Sequence, residues 1–150
     1  VPRSYKFAIA AGLVVGILAM QLVPVRIANP PSRGDVAAPP EVEQTLRRSC
    51  YDCHSNQTQW PWYTRIAPLS WLVAHDVNAG RRQINFSQWS DYFPATRARK
   101  LKWMDRALRG EAMPPWPYRA MHPSSRLGPA DRDRLQRWIA AELAADESGR

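Results

Sequence analysis

The sequence predicts a mainly α-helical chain: a single N-terminal transmembrane helix, then a small helical domain. The expected boundaries are 1–26 for a cytoplasmic flank and anchor, 27–40 for a proline-rich linker and 41–150 for the domain. Three observations carry this reading. Phe7 to Val25 is almost continuously apolar, broken only by Gln21, and at the helical rise it would cross much of a bilayer. Beyond Pro40, apolar residues recur at three- and four-residue spacings, whereas the alternation of a sheet is weak and no repeat is evident. The remaining chain is enough for one core and too short for two independent domains.

Local signals place the elements in order. Arg3 and Lys6 precede the apolar run, so the N-terminus should stay cytoplasmic and the rest should face out, in single-pass fashion; in a bacterium this is the inner membrane, with the domain in the periplasm. A cleaved signal is the alternative, but the run exceeds a usual signal core and Gln21-Leu22-Val23-Pro24-Val25 offers no small-residue cleavage pattern. Pro30-Pro31 and Pro39-Pro40 mark an extended tether, or a strap lying on a partner. Pro40 and Glu41 open a helix carrying Val42 and Leu46 toward Cys50. Asn56 to Leu69 reads as loop with one short turn. Ser70 is a possible N-cap for a helix from Trp71 to Asn78, with Gly80 just beyond it. Pro94 starts a helix bearing Ala98, Leu101, Met104 and Leu108, with Gly110 as its stop. Gly128-Pro129 lead into the last helix, which has Asp131 and Asp133 in its first turn and Leu135, Trp138, Ile139 and Leu143 as an apolar stripe.

Chemistry concentrates at Cys50-Tyr51-Asp52-Cys53-His54, a C-x-x-C-H run containing the only two cysteines of the chain. Thiols at this spacing can add to the two vinyl groups of a haem while the adjacent imidazole binds iron, so the pattern points to one covalently attached haem c with His54 as proximal ligand. Zinc would need a fourth ligand, and no second closely spaced pair exists. Dithiol redox chemistry would need a strand before Cys50, and none is apparent. Candidates for the opposite side of the iron are His75, Met104, Met113, Met121 and His122. Met104 falls on an apolar helix face and His75 within a helix. Met113 is favoured, because Gly110 ends one helix and Pro114-Pro115 block another, leaving a loop that can present sulfur. Of seven tryptophans, Trp60, Trp62, Trp71 and Trp89 could pack on a porphyrin or simply fill the core.

The formal charge of +8 has a concentrated part: Arg97, Arg99, Lys100, Lys102, Arg106 and Arg109 punctuate one segment in which Asp105 is the only acid. This is either a solvated face or a surface for an acidic electron-transfer protein or anionic lipid headgroups. Arg81-Arg82 is a candidate neighbour for a haem propionate. Nucleic acid is a poor fit, since an anchor and a haem motif already account for the composition.

A longer ordered set gives a resemblance. The C-x-x-C-H run extends as Ser55-Asn56-Gln57-Thr58, then Trp60-Pro61-Trp62-Tyr63, Ile66-Ala67-Pro68, Trp71 to Val77, Gly80-Arg81 and Asn85-Phe86-Ser87. It closes with Met113-Pro114-Pro115, Tyr118, His122-Pro123 and Leu127. This set resembles the small bacterial haem-binding domain family, and the plan is broadly similar to class I cytochrome c. The resemblance implies a monohaem c domain with Cys50 and Cys53 as attachment residues, His54 proximal and Met113 distal, and it brings Tyr118 and His122, with Trp60 and Trp62, into the expected pocket. The expected function is single-electron transfer between redox partners, within a respiratory or photosynthetic complex or beside one. A haem-based sensor or oxidoreductase with a displaceable distal ligand, or a structural haem subunit, are the alternatives.

Overall fold

A computed structural model describes the backbone of residues 3–148 and the side chains of 5–146. The helices are α1 (Arg3–Met20), α2 (Pro40–Ser49), α3 (Tyr51–His54), α4 (Leu69–Gln83), α5 (Pro94–Arg109), α6 (Trp116–Met121) and α7 (Pro129–Ser148), with single 3-10 turns at Trp62–Arg65, Trp89–Asp91 and Pro123–Ser125. The mainly helical class is as expected. Among the described residues, sheet-type pairing is limited to one parallel bridge between Gly34 and Gln88.

The expected membrane anchor is overturned: among the described residues no helix is long and apolar enough to cross a membrane. The apolar run of Phe7 to Val25 does not form one helix. Helix α1 stops at Met20, and Gln21, Leu22 and Val23 turn back through bonds to the Leu18, Ala19 and Met20 carbonyls. Its apolar part, Phe7 to Met20, rises only about 21 Å against a hydrocarbon core of about 30 Å. Gln21 has a local purpose, its amide both donating to the Ala67 carbonyl at 3.1 Å and accepting from the Ala67 N–H at 3.0 Å. The bilayer contact and single-pass inner-membrane placement fall with the anchor. The first two residues of the expected flank lie outside the described residues.

Helices α2, α5 and α7 enclose the core. In α2, Pro40 occupies the first turn, Glu41 and Glu43 sit at the positive end of the helix dipole and Arg47 and Arg48 at the negative end. Val42, Leu46 and Ser49 form its buried face. Leu46 meets Leu101, Met104 and Leu108 of α5 and Leu135, Trp138 and Ile139 of α7 in one cluster, each large side chain contributing about 1.5–3 kcal/mol on burial. Asp131 ties two of these helices together, accepting from Arg48 at 2.8 Å and Arg134 at 3.1 Å.

Segment 27–40 packs along the chain's own 84–90 region. Arg33 and Val36 donate their N–H groups to the Ser87 and Phe86 carbonyls, Trp89 donates back to Gly34, and Val36 enters the core. Gly34 has φ 134°, a conformation L side chains avoid, and a Cβ there would collide with the Ser90 side chain.

The ends of α4 differ from expectation. Helix α4 begins after Pro68 with Ser70 buried inside it, and it continues through Gly80 to Gln83. Helix α5 ends at Arg109 with Gly110 as its cap, as expected, and Gly110 has an ordinary φ of −80°. The left-handed residue is Glu111 at φ 51°, and Ala112 N–H closes the end on the Ala107 carbonyl at 3.1 Å.

Candidate functional site

Cys50 breaks the chain direction between α2 and α3, having φ −128° where a helix needs about −63°. The single turn of α3 then sets Cys53 and His54 against α4. That approach is possible because Gly80 has no side chain: a Cβ would overlap the Cys53 carbonyl oxygen and stand 3.0 Å from its carbon. The close crossing also places two acceptors on the His54 ring. Nδ1 lies 3.0 Å from the Gly80 carbonyl oxygen and 3.2 Å from that of Ile84. Carbonyl oxygens only accept, so Nδ1 carries the hydrogen and Nε2 keeps its lone pair. Burial lowers the His54 pKa more strongly than these two bonds raise it, and the ring is held neutral, the form that binds metals.

No disulfide joins Cys50 and Cys53. Burial pushes each thiol pKa up to about 12, helped at Cys50 by Cys53, and at Cys53 by Asp52 and Asp76. With His54 the two cysteines line a cleft with about 550 Å³ between its walls, part of it open to solvent. Ile84, Phe86, Trp103, Met104, Leu108 and Leu127 make its apolar sides, and Met113-Pro114-Pro115 and Tyr118 close it. The Ser49 hydroxyl, also on the lining, is buried without a hydrogen-bond partner.

A second cleft, also open to solvent, shares Asp52, Cys53, Pro115 and Tyr118 with the first and continues between Val73, Val77, Leu69 and His122. Polar contacts pin this side. Tyr118 donates its hydroxyl to Asp52 at 2.6 Å, and burial followed by that bond raises its pKa, so it holds its proton. Its ring stacks on His122 at 4.4 Å, and the Tyr63 hydroxyl lies 2.7 Å from His122 Nε2. Asp52 also accepts the Gln59 N–H at 2.8 Å. A residue inside the C-x-x-C-H run thus fastens both α6 and the loop that follows the motif.

Cys50, Cys53, His54, Met113 and Tyr118 meet in the first cleft, with Met104. His122 and Met121 lie on the second cleft. His75 is exposed and beside Asp76. Trp62 is 75% exposed, and Trp60 donates to Asn29 rather than lining either space. Arg81 donates to Ser55, Ala28, Asn29 and Thr58, so its guanidinium is engaged in holding 27–40 onto the motif loop. Sequence reasoning missed Trp103, whose ring centroid is 6.1 Å from that of His54, and the carbonyl role of Gly80. The one signal for Trp103 is its place next to Met104 within the apolar register of its helix.

The residues suit a haem. A neutral imidazole with one nitrogen to spare, two cysteines at attachment spacing and a thioether meet on one apolar cleft and form its donor set. No curated protein and no solved structure matches the chain. A family model described as a haem-binding domain matches residues 15–141, and with most of its length inside that match the chain belongs to the haem-binding domain family.

Proposed function

We propose that this haem protein holds one haem c, bound through thioethers at Cys50 and Cys53, and passes single electrons between redox partners. The supporting observation is the His54 ring, whose Nδ1 is held by the Gly80 and Ile84 carbonyls at 3.0 and 3.2 Å in the cleft shared with both thiols and Met113. His54 Nε2 is the proximal donor and the Met113 sulfur the distal one. Haem iron supplies the reversible one-electron change when bound. The chain's own residues do the rest. The two carbonyls fix the imidazole plane and raise its donor strength. Phe86, Trp103, Leu108 and Leu127 exclude water, which disfavours the more highly charged iron state and so tunes the potential. Tyr118, through Asp52, keeps the Met113 loop against the motif helix.

Spectra of the oxidised and reduced holoprotein test this, with Met113→Ala and Cys50→Ala beside the parent. A near-infrared methionine-to-iron band should be present in the parent and absent in Met113→Ala, whose potential should fall. A band that survives the substitution removes Met113 from the iron. Cys50→Ala should leave a single thioether, and unchanged covalent attachment would end the two-thioether account. Ready binding of carbon monoxide by the parent would replace the carrier reading with one in which the distal position is displaceable.

A further inference from the structure

The basic residues of α5 have different fates. Lys100 donates to the Gln83 carbonyl at 2.6 Å, at the end of α4. Arg109 pairs with Asp105 at 2.8 Å, and Arg97 is half-buried with its Nε unpartnered. Arg99, Lys102 and Arg106 are exposed, and among the described residues no acidic side chain neutralises them. With Ala95 and Ala98 they line a shallow groove. Their i, i+3, i+7 spacing aligns them along one strip about 10 Å long.

The same helix forms a wall of the cleft. Trp103 follows Lys102 directly, about 100° round the helix. It lines the cleft and remains half-buried, with its ring 6.1 Å from that of His54. Between a partner seated on the strip and His54 there stand only the body of one helix, about 10–12 Å across, and the Trp103 ring.

We propose that Arg99, Lys102 and Arg106 form the docking site of an acidic redox protein that exchanges electrons with the cleft beside Trp103; this rests on the electron-carrier reading above. Three unneutralised cations attract an acidic surface and set its orientation. The alanine floor lets that surface come close to the helix. A lipid surface is the weaker fit, because the groove bears no large apolar side chain to enter a bilayer. One electron crosses per encounter, the haem side being oxidised as the partner is reduced, with no bond made and no proton moved.

The test uses the full haem-loaded chain, a triple variant R99E/K102E/R106E and a control with the same charge change at exposed positions elsewhere, R65E/R126E/R137E. Poly-L-glutamate is titrated calorimetrically at low salt. The α5 variant should bind more than about tenfold more weakly than the parent, and the control within about threefold. Equal weakening in both variants, or none in the α5 variant, overturns the proposal. Oxidation of the reduced protein by hexacyanoferrate(III), which becomes hexacyanoferrate(II), should slow by about tenfold in the α5 variant alone, and the difference should vanish near 0.5 M salt. Phosphatidylglycerol vesicles form the third arm. Strip-dependent vesicle binding without strip-dependent poly-L-glutamate binding would assign the surface to lipid and overturn the proposal. Absence of a one-electron couple would sink the carrier reading instead, while the poly-L-glutamate arm still judges the strip.

Discussion

Gly80→Ala isolates the contact on which the candidate haem site rests. The new methyl would overlap the Cys53 carbonyl oxygen and lie 3.0 Å from its carbon and 3.2 Å from its Cβ. The obstacle is backbone, so no flexible side chain can move aside and α4 must back away from α3. Overpacking costs about 1–3 kcal/mol, and a backbone obstacle belongs at the upper end. Alanine returns about 1 kcal/mol of helix propensity, leaving a net loss of about 2 kcal/mol and a fall of roughly 5–10 °C in Tm. The displaced Gly80 carbonyl would also loosen its bond to His54 Nδ1, now 3.0 Å. Calorimetry gives the stability, and the absorption spectrum of the holoprotein reports the imidazole. Gly16→Ala is the control, since nothing lies within 4 Å of its would-be Cβ, and it should lose nothing. A Gly80→Ala protein that melts at or above the parent temperature with an unaltered spectrum would refute the reasoning, because helix propensity would then outweigh the close approach.

Further outcomes are expected. Tyr118→Phe removes the 2.6 Å bond to Asp52 and should cost about 1–2 kcal/mol in urea unfolding; full stability in the variant would show that the bond holds nothing. In the apoprotein, Cys50 and Cys53 should react with iodoacetamide at rates that climb about tenfold per pH unit above pH 8 toward their value of about 12. The folded state disfavours these thiolates, so the same shift should cost apoprotein stability as the pH rises above about 9. A rate plateau near pH 9 would contradict both statements. Glu111→Gly relieves a φ of 51° and should stabilise the protein by about 1 kcal/mol; a lower Tm would mean that the Glu111 side chain matters more than its backbone.

Helices with a clear apolar register were legible: α2, α5 and α7 start at the prolines that announce them, because proline at a helix start acts locally. The structure gathers the motif residues and Met113 at one cleft, and the local signals that grouped them in the sequence were spacing and a proline stop. What escaped was long-range. Gly80 looks like a stop until α3 is seen lying against it, and nothing local marks Glu111 as the left-handed residue that follows α5. Helix α6 hides between prolines at 115 and 117, one before the helix and one in its first turn. The apolar run Phe7 to Val25 misled because Gln21, one polar residue in a hydropathy pattern, pairs with the Ala67 backbone 46 positions away.

The Asp52 to Tyr118 bond spans 66 positions, whereas the bond from His54 to Gly80 spans 26. This difference sets an order of events during synthesis. At roughly 5–20 residues per second, the chain reaches Gly80 within a few seconds of making the motif, and reaches Tyr118 about two to eight seconds after that. The short-range wall can therefore be assembled while its opposite wall does not yet exist. A newborn chain passes through an interval in which the two thiols and the imidazole stand on an open face, and the last third of the protein acts as the door.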